Sequence, residues 1–410
     1  MKQSEFNYVV ELDDGNYGVF NTYKNSLVIL NSNEYNQLQN LNTAEDHMID
    51  SFKELNLIVE DGVDERSIVE ADTMKYSNDD RVMLRILTTL DCNADCIYCY
   101  EKRNHMKMSK ETADKVVDFL RRITTDKLHI EWFGGEPLYN HEIISYICNK
   151  LYEYDINFSS SMVTNAILCT PDIIKELPYW KVTRMQVTVD GAYLDYDEVK
   201  RVKTGTFLKV IENIKNIINS KIDVTIRLNY YNDNILVLKK LINYMADEIG
   251  PHEYLHYYAY PIFELCNSDK EFDPNIVDKI FEIQEHLIIN GLETPEHIYN
   301  MRYKGMGCFA THKYGYTIGP DGTLHGCSHT VNQSVGDVVN GDNENRKLFA
   351  ASIHEKCKTC KIYPVCKGGC KVAELGYEKI NQCNLYKNRF DEFIKKMIHF
   401  KTNKPIKEVI

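Results

Sequence analysis

The chain begins with a strand-like alternation of apolar and polar positions. Residues 6–31 read as paired strands, with "DDG" at 13–15 as the turn between two of them. "NSNEYNQLQNL" and "AEDHMIDSFKELNLIVEDG" then predict two short helices and a closing strand. Together these make a small α+β module that resembles a reduced winged helix. "DERSIVEADTMKYSNDD" (64–80) is polar and charged, shows no apolar stripe, and reads as a linker.

A second rhythm starts at residue 81. Strand patterns at 81–89, 128–133, 157–165, 183–189, 223–230 and 253–262 alternate with amphipathic helical stretches. One helix is predicted over 109–123 with Ser109 as N-cap; another begins with Thr170 as cap and Pro171 at its first position. About six β–α repeats imply a parallel sheet curling toward a barrel, with chemistry at the carboxyl ends of its strands. Residues 268–296 read as a bridging helical segment. A last helix is expected in "LYKNRFDEFIKKMIHF", ahead of a mildly basic tail.

The predicted fold class is therefore α/β, a partial (β/α)6 TIM-like barrel between two smaller parts. The expected divisions are 1–79, 80–262, 263–306, 307–390 and 391–410. Apolar content of 43% and charged content of 26% belong to an ordinary globular chain. The 48 basic and 60 acidic residues leave a charge of −12, which argues against nucleic acid as a partner. No apolar run has membrane-spanning length and no secretory leader is visible, so a cytoplasmic protein with no membrane partner is expected.

Composition changes the picture at one residue type. Of 13 cysteines, three fall at 92–99 and seven between 308 and 383. In a cytoplasmic setting such clustering points to metal or redox chemistry rather than disulfides. Cys148, Cys169 and Cys266 stand alone and read as buried structural thiols.

"TTLDCNADCIYCYEKR" (88–103) sets Cys92, Cys96 and Cys99 just after the first barrel strand. A structural zinc site would need a fourth ligand, for which His105 is the local candidate. The spacing C-x3-C-x-Φ-C, with Tyr98 as the aromatic, resembles the radical S-adenosylmethionine (radical SAM) superfamily. That resemblance implies a 4Fe–4S cluster on three thiolates whose free iron binds S-adenosyl-L-methionine. One electron then releases a 5′-deoxyadenosyl radical, which abstracts hydrogen from substrate.

"EWFGGEPLY" supports the same resemblance. Gly134 and Gly135 allow a close backbone approach to a ligand, Glu136 offers anionic acceptors and Pro137 fixes the turn. In the family, G-G-E-P receives the cofactor's ammonium. Weaker family echoes implicate Thr164 and Asn165, where Ala166 stands in a position often held by glycine. Others implicate Asp190 and Arg201, then Arg227 and Asn229; structural hydrogen bonding competes for all of these.

The remaining thiols run Cys308-x13-Gly322-x4-Cys327, then Cys357-x2-Cys360-x5-Cys366-x3-Cys370 and Cys383. Spacing alone leaves zinc knuckles open. The whole pattern resembles the SPASM extension, which carries two auxiliary 4Fe–4S clusters and so brings the expected total to three. The resemblance assigns Cys357, Cys360, Cys366 and Cys383 to an outer cluster and Cys308, Cys327 and Cys370 to an inner one. Some relatives have an eighth cysteine where this chain has Arg302. The inner cluster is then open to a substrate thiol, unless Cys266 fills it.

By resemblance, residues 1–63 are expected to capture the leader of a ribosomally made precursor peptide as an added strand, with a plain structural cap as the alternative. The function implied is that of a peptide maturase forming a cysteine thioether, with flavodoxin or ferredoxin as electron donor. Alternatives are carbon–carbon cross-linking, formylglycine formation in a sulfatase, and a non-catalytic iron–sulfur or zinc protein.

Overall fold

A computed structural model describes residues 1–101, 105–123, 126–262, 274–299, 308–376, 383 and 385–402. In the front module β2 (Asn7–Glu11), β3 (Tyr17–Asn21) and β4 (Ser26–Leu30) form an antiparallel sheet in that order. The "DDG" turn joins β2 to β3: Gly15 N–H donates to Leu12 O at 3.0 Å, and Asp14 accepts from Asn16 N–H at 3.0 Å. Asn31 caps α1 (Ser32–Gln39) through a reciprocal capping box with Glu34. After α2 (Asp46–Glu54), β5 (Ile58–Val59) closes on β1 (Lys2–Gln3) at the start of the chain. Val19, Leu30, Leu38, Phe52, Leu57 and Ile58 give the module its own core.

The linker expected over 64–80 is a helix, α3 (Glu65–Asn78), capped by Asp64 accepting from Ser67 N–H. Its buried stripe is Glu65, Val69, Thr73 and Ser77, four residues apart each time but mostly polar. A hydrophobicity pattern therefore misses it. Glu65 is satisfied by Ser4 Oγ at 2.7 Å and Glu5 N–H at 2.8 Å, which is what makes its burial affordable.

The six barrel strands all form: β6 (Val82–Thr89), β7 (Leu128–Gly134), β8 (Phe158–Thr164), β9 (Val182–Thr188), β10 (Asp223–Tyr230) and β11 (Leu255–Pro261). Each pairs in parallel with the next. Between them run α4 (Lys110–Ile123), α5 (His141–Glu153), α6 (Pro171–Glu176), α7 (Leu194–Lys200), α8 (Thr206–Asn219) and α9 (Ile235–Glu248). Ser109 and Thr170 accept from Thr112 and Ile173 N–H groups, as their cap positions predict. α4 buries Ala113, Val116, Val117, Phe119 and Leu120, the spacing of one helical face.

Beyond β6 the sheet continues into the cysteine-rich region, which the pattern did not foretell. β12 (Gly315–Ile318) runs parallel to β6, pairing Tyr316 with Leu84. β13 (Thr323–His325), β14 (Gly336–Asp337) and β15 (Gly341–Asp342) then add antiparallel strands, giving ten in one sheet. Of the bridging segment, α10 (Pro274–Ile289) and α11 (Pro295–Ile298) are described; Cys266 and Arg302 lie outside the described residues.

Two short helices follow, α12 (Tyr363–Cys366) and α13 (Lys371–Glu374), then α14 (Phe390–Thr402). α14 packs under the front sheet, with the Tyr8 ring edge-on to Phe390 at 4.8 Å and its hydroxyl donating to Asp391 at 2.7 Å. On the other side Phe6 and Val69 share a small core with Cys357 and Tyr363. No described helix is long and apolar enough to cross a membrane.

Candidate active site

The Cys92–Cys99 loop leaves the carboxyl end of β6 and is held from both sides. Leu90 N–H donates to Met106 O at 2.8 Å, and Met108 N–H donates to Thr88 O at 2.9 Å. Asp95 and Ile97 N–H groups donate to Lys200 and Val199 carbonyls at the end of α7. His105 turns its Nδ1 to Asp91, 2.6 Å away, rather than joining the thiols.

The G-G-E-P turn sits against this loop. A Cβ at Gly134, where φ is +126°, would lie 2.2 Å from Thr89 O, and one at Gly135 would lie 2.3 Å from Asp91 O. The glycines thus admit the thiol loop's own backbone, a nearer neighbour than the ligand expected from sequence. Gly135 and Glu136 N–H groups donate to those same two carbonyls at 3.0 and 2.9 Å.

Glu136 is fully buried and its carboxylate is occupied by protein donors. Thr164 Oγ1 donates at 2.7 Å, Asn165 N–H at 2.8 Å and Leu138 N–H at 3.2 Å. Burial pushes its pKa up to about 7, against the pull of those donors. Asn165 continues the chain of contacts, donating through Nδ2 to Asn93 Oδ1 at 2.7 Å and to Cys92 Sγ at 3.7 Å. Thr164, Asn165, Glu136 and Cys92 therefore belong to one network, and Pro137 O accepts from Thr88 Oγ1 at 3.1 Å.

A second network contains a residue that sequence reasoning missed. Lys200, the last residue of α7, lies 2.8 Å from Asp190, and both are buried. Tyr98 hydroxyl donates to Asp190 and accepts from Lys200. Burial alone would lower the Lys200 pKa, but Asp190 and Tyr98 hold it well above the usual value. No periodicity marks Lys200; the only signal is that a carboxylate at the end of a buried strand needs a cation.

The other expected contacts lie apart. Arg201 sits on the outside of the thiol loop, 3.4 Å from Asp95. Arg227 donates to Asn229 Oδ1 at 2.8 Å on β10, with its guanidinium over the Tyr260 ring. Ala166 has φ +61°, which accounts for glycine being common there.

Several of the remaining thiols lie within electrostatic reach of one another. Burial pushes Cys308 up to about 11, opposed by the Ala310 N–H and reinforced by the neighbouring charges of Cys327 and Cys370. Cys360 and Cys383 are likewise within electrostatic reach of Cys357, and Cys366 lies beside Tyr363. Tyr100, one residue past Cys99, stacks on His329, two past Cys327, with ring centroids 4.0 Å apart. That stack joins the barrel thiols to the C-terminal ones.

Residues 86–242 match the model of the Radical SAM superfamily. The chain carries a radical SAM domain. Such a domain implies a 4Fe–4S cluster and S-adenosylmethionine, and makes the protein an enzyme of radical chemistry. The radical SAM cyclopropyl synthase TigE of Paramaledivibacter caminithermalis is 23% identical over 92% of this chain and 88% of its own length. Among solved structures, AdoMet-bound anSMEcpe has the same fold at TM-score 0.60 and 18% identity, covering 80% of this chain and 97% of its own. SuiB of Streptococcus suis, bound to precursor peptide SuiA, aligns at TM-score 0.51 and 15% identity over 93% of this chain and 98% of its own.

The donor set around the radical SAM domain's thiol loop fits these groups. Asp190 Oδ1 and Asn93 Nδ2 are buried polar atoms without a protein partner, an acceptor and a donor left for a polar ligand.

Proposed function

We propose that this radical SAM enzyme matures a ribosomally made precursor peptide, removing two hydrogen atoms as it closes a new bond. The observation that supports the reading most is the radical SAM match over 86–242, together with the closeness of Cys327 and Cys370 to Cys308 and of Cys360 and Cys383 to Cys357.

In this reading Cys92, Cys96 and Cys99 would hold a 4Fe–4S cluster that binds S-adenosylmethionine. Bound together, the two supply a 5′-deoxyadenosyl radical. Glu136, through Thr164 and Asn165, locks the β7 and β8 ends against the loop, and Asn165 steadies the Cys92 sulfur. Asp190 and Asn93 offer the unpartnered acceptor and donor, with Tyr98 fixed behind them; Gly134, Gly135 and Pro137 shape the clamp. Arg201 is assigned to the outer rim, and Arg227 and the buried Asn229 to the carboxyl half of β10, where either could meet a carboxylate or a hydroxyl. Cys357, Cys360, Cys366 and Cys383 hold an outer auxiliary cluster, and Cys308, Cys327 and Cys370 an inner one with a position for a substrate thiol. The front sheet, with β2 and β4 at its edges, receives the leader, and a flavodoxin or ferredoxin supplies electrons.

The bond assigned is a thioether: the C–H hydrogen atom would leave as part of 5′-deoxyadenosine, the S–H proton would go to solvent, the remaining electron would pass to an iron–sulfur cluster, and one C–S bond would form. A second reading, a carbon–carbon closure, is favoured by the similarity to TigE along nearly the whole chain. Mass spectrometry after anaerobic turnover separates them. A Cys→Ala precursor should lose the two-hydrogen mass shift; survival of the shift moves the assignment to carbon–carbon closure. No 5′-deoxyadenosine from the reduced, iron-loaded protein would end both readings.

A further inference from the structure

The strand that ends the sheet carries a cluster with no part in the chemistry above. His256, near the amino end of β11, faces Glu293 and His297 from the segment after α10. The three ligand atoms lie within 4.8 Å of one another. This is the rim opposite the Cys92 loop, because β6 and β11 run the same way and that loop leaves a carboxyl end.

Local structure delivers the three groups. Gly291, at φ +69°, turns the chain out of α10, with Leu292 N–H donating to Leu287 O at 3.0 Å. Thr294 caps the single turn of α11, which puts His297 four residues after Glu293 and over it. Glu293 is buried, and Tyr257 N–H donates to its Oε1 at 2.5 Å, fixing the carboxylate as a second-sphere donor fixes a metal ligand.

The geometry offers one nitrogen to each side of that carboxylate. His297 Nδ1 lies 2.6 Å from Oε2, while His256 Nδ1 lies 3.6 Å from Oε1. The first is a hydrogen bond. The second is too long for one but lies at the upper end of the ligand–ligand edge, about 3.3–3.6 Å, of a tetrahedron with 2.0–2.2 Å bonds. The two imidazole rings lie 4.7 Å apart between centroids, and both side chains keep solvent access, which leaves room for water ligands. Asp223 adds negative charge within reach of His256.

We propose that His256, Glu293 and His297 form a site for a divalent transition metal of the zinc class, pinning the edge strand β11 to the segment after α10. Two imidazoles and one carboxylate select zinc, cobalt or nickel over magnesium and calcium, which prefer oxygen donors. The metal replaces the His297–Glu293 hydrogen bond, and binding only the folded state, it raises the unfolding temperature.

The test uses the full-length, iron-loaded protein. After incubation with zinc sulfate and desalting, metal counting should show one zinc per chain beyond a magnesium-treated control, with iron unchanged. H256A/H297A should take up none while keeping its iron, and the zinc-induced rise in unfolding temperature should vanish with it. If the double variant loses iron through misfolding, H297Q replaces it and should weaken zinc binding more than about 100-fold, beyond what loss of a supporting partner costs. Equal zinc uptake by wild type and variant, or none by wild type, overturns the site and leaves Glu293 as a proton-bridged clamp.

Discussion

Lys200 and Asp190 form a buried ion pair, 2.8 Å between Nζ and Oδ2, with 3% and 0% of their side chains exposed. Asp190 ends the β9 region and Lys200 ends α7, so the pair ties the thiol loop's two supports together through Tyr98. Removing one partner leaves the other charged in the interior, a cost of about 3–5 kcal/mol. K200M should therefore lower unfolding free energy by that amount in denaturant titrations. K200M/D190N should be more stable than K200M, because no buried charge is left alone.

Glu136 predicts a pH dependence. Its folded-state pKa, about 7, is raised from an ordinary 4.5 by burial. Its contribution to stability is full below the unfolded value and is lost as pH climbs through 4.5 to 7, by up to about 1.4 kcal/mol per pH unit. E136Q cannot ionise. Its stability relative to wild type should rise between about pH 4.5 and 7 and level off above, read from unfolding curves of the cofactor-free protein; a flat difference would place the titration elsewhere.

The clamp glycine and Ala166 make a matched set of backbone tests. G134A meets the Thr89 carbonyl at 2.2 Å and should cost more than about 3 kcal/mol. G15A has the same handedness problem, at φ +81°, but open space around it, and should cost about 1 kcal/mol. A166G should stay within about 1 kcal/mol of wild type, since relief of the left-handed strain offsets added chain entropy. A166V should lose at least about 2 kcal/mol, as a β-branched residue forced to φ > 0 in a packed site. Thermal or denaturant unfolding checks all four.

The Tyr100–His329 stack should be measurable as a coupling. A double-mutant cycle with Y100A and H329A is expected to give about 0.5–1.5 kcal/mol. A coupling near zero would mean that the stack adds nothing to the β6–β12 pairing and the Arg85–Ser328 hydrogen bond that also join the two regions.

Much was written locally. The six barrel strands, the caps Ser109 and Thr170, and the "DDG" turn depend on residues within a few positions of one another, and each forms where its pattern lies. The cysteine spacings were equally legible, because a three-thiol loop after a strand needs no distant partner to be noticed. α3 was not legible, since Glu65, Thr73 and Ser77 are apolar in neither type nor pattern. Glu65 is buried because Ser4 and Glu5 come back to meet it, and Thr73 and Ser77 because Tyr363 and Lys313, more than two hundred residues on, pack against them.

What the sequence by itself determined is the β–α rhythm, the thiol loop at the first strand's end and the grouping of C-terminal cysteines by spacing. Only the tertiary structure decided that β12 pairs beside β6, that Glu136 spends its oxygens on Thr164 and Asn165, and that Lys200 neutralises Asp190. The reason is physical: helix, strand and cap preferences are summed over neighbours in sequence, whereas strand order and buried polar pairing are settled by contacts between residues tens to hundreds of positions apart.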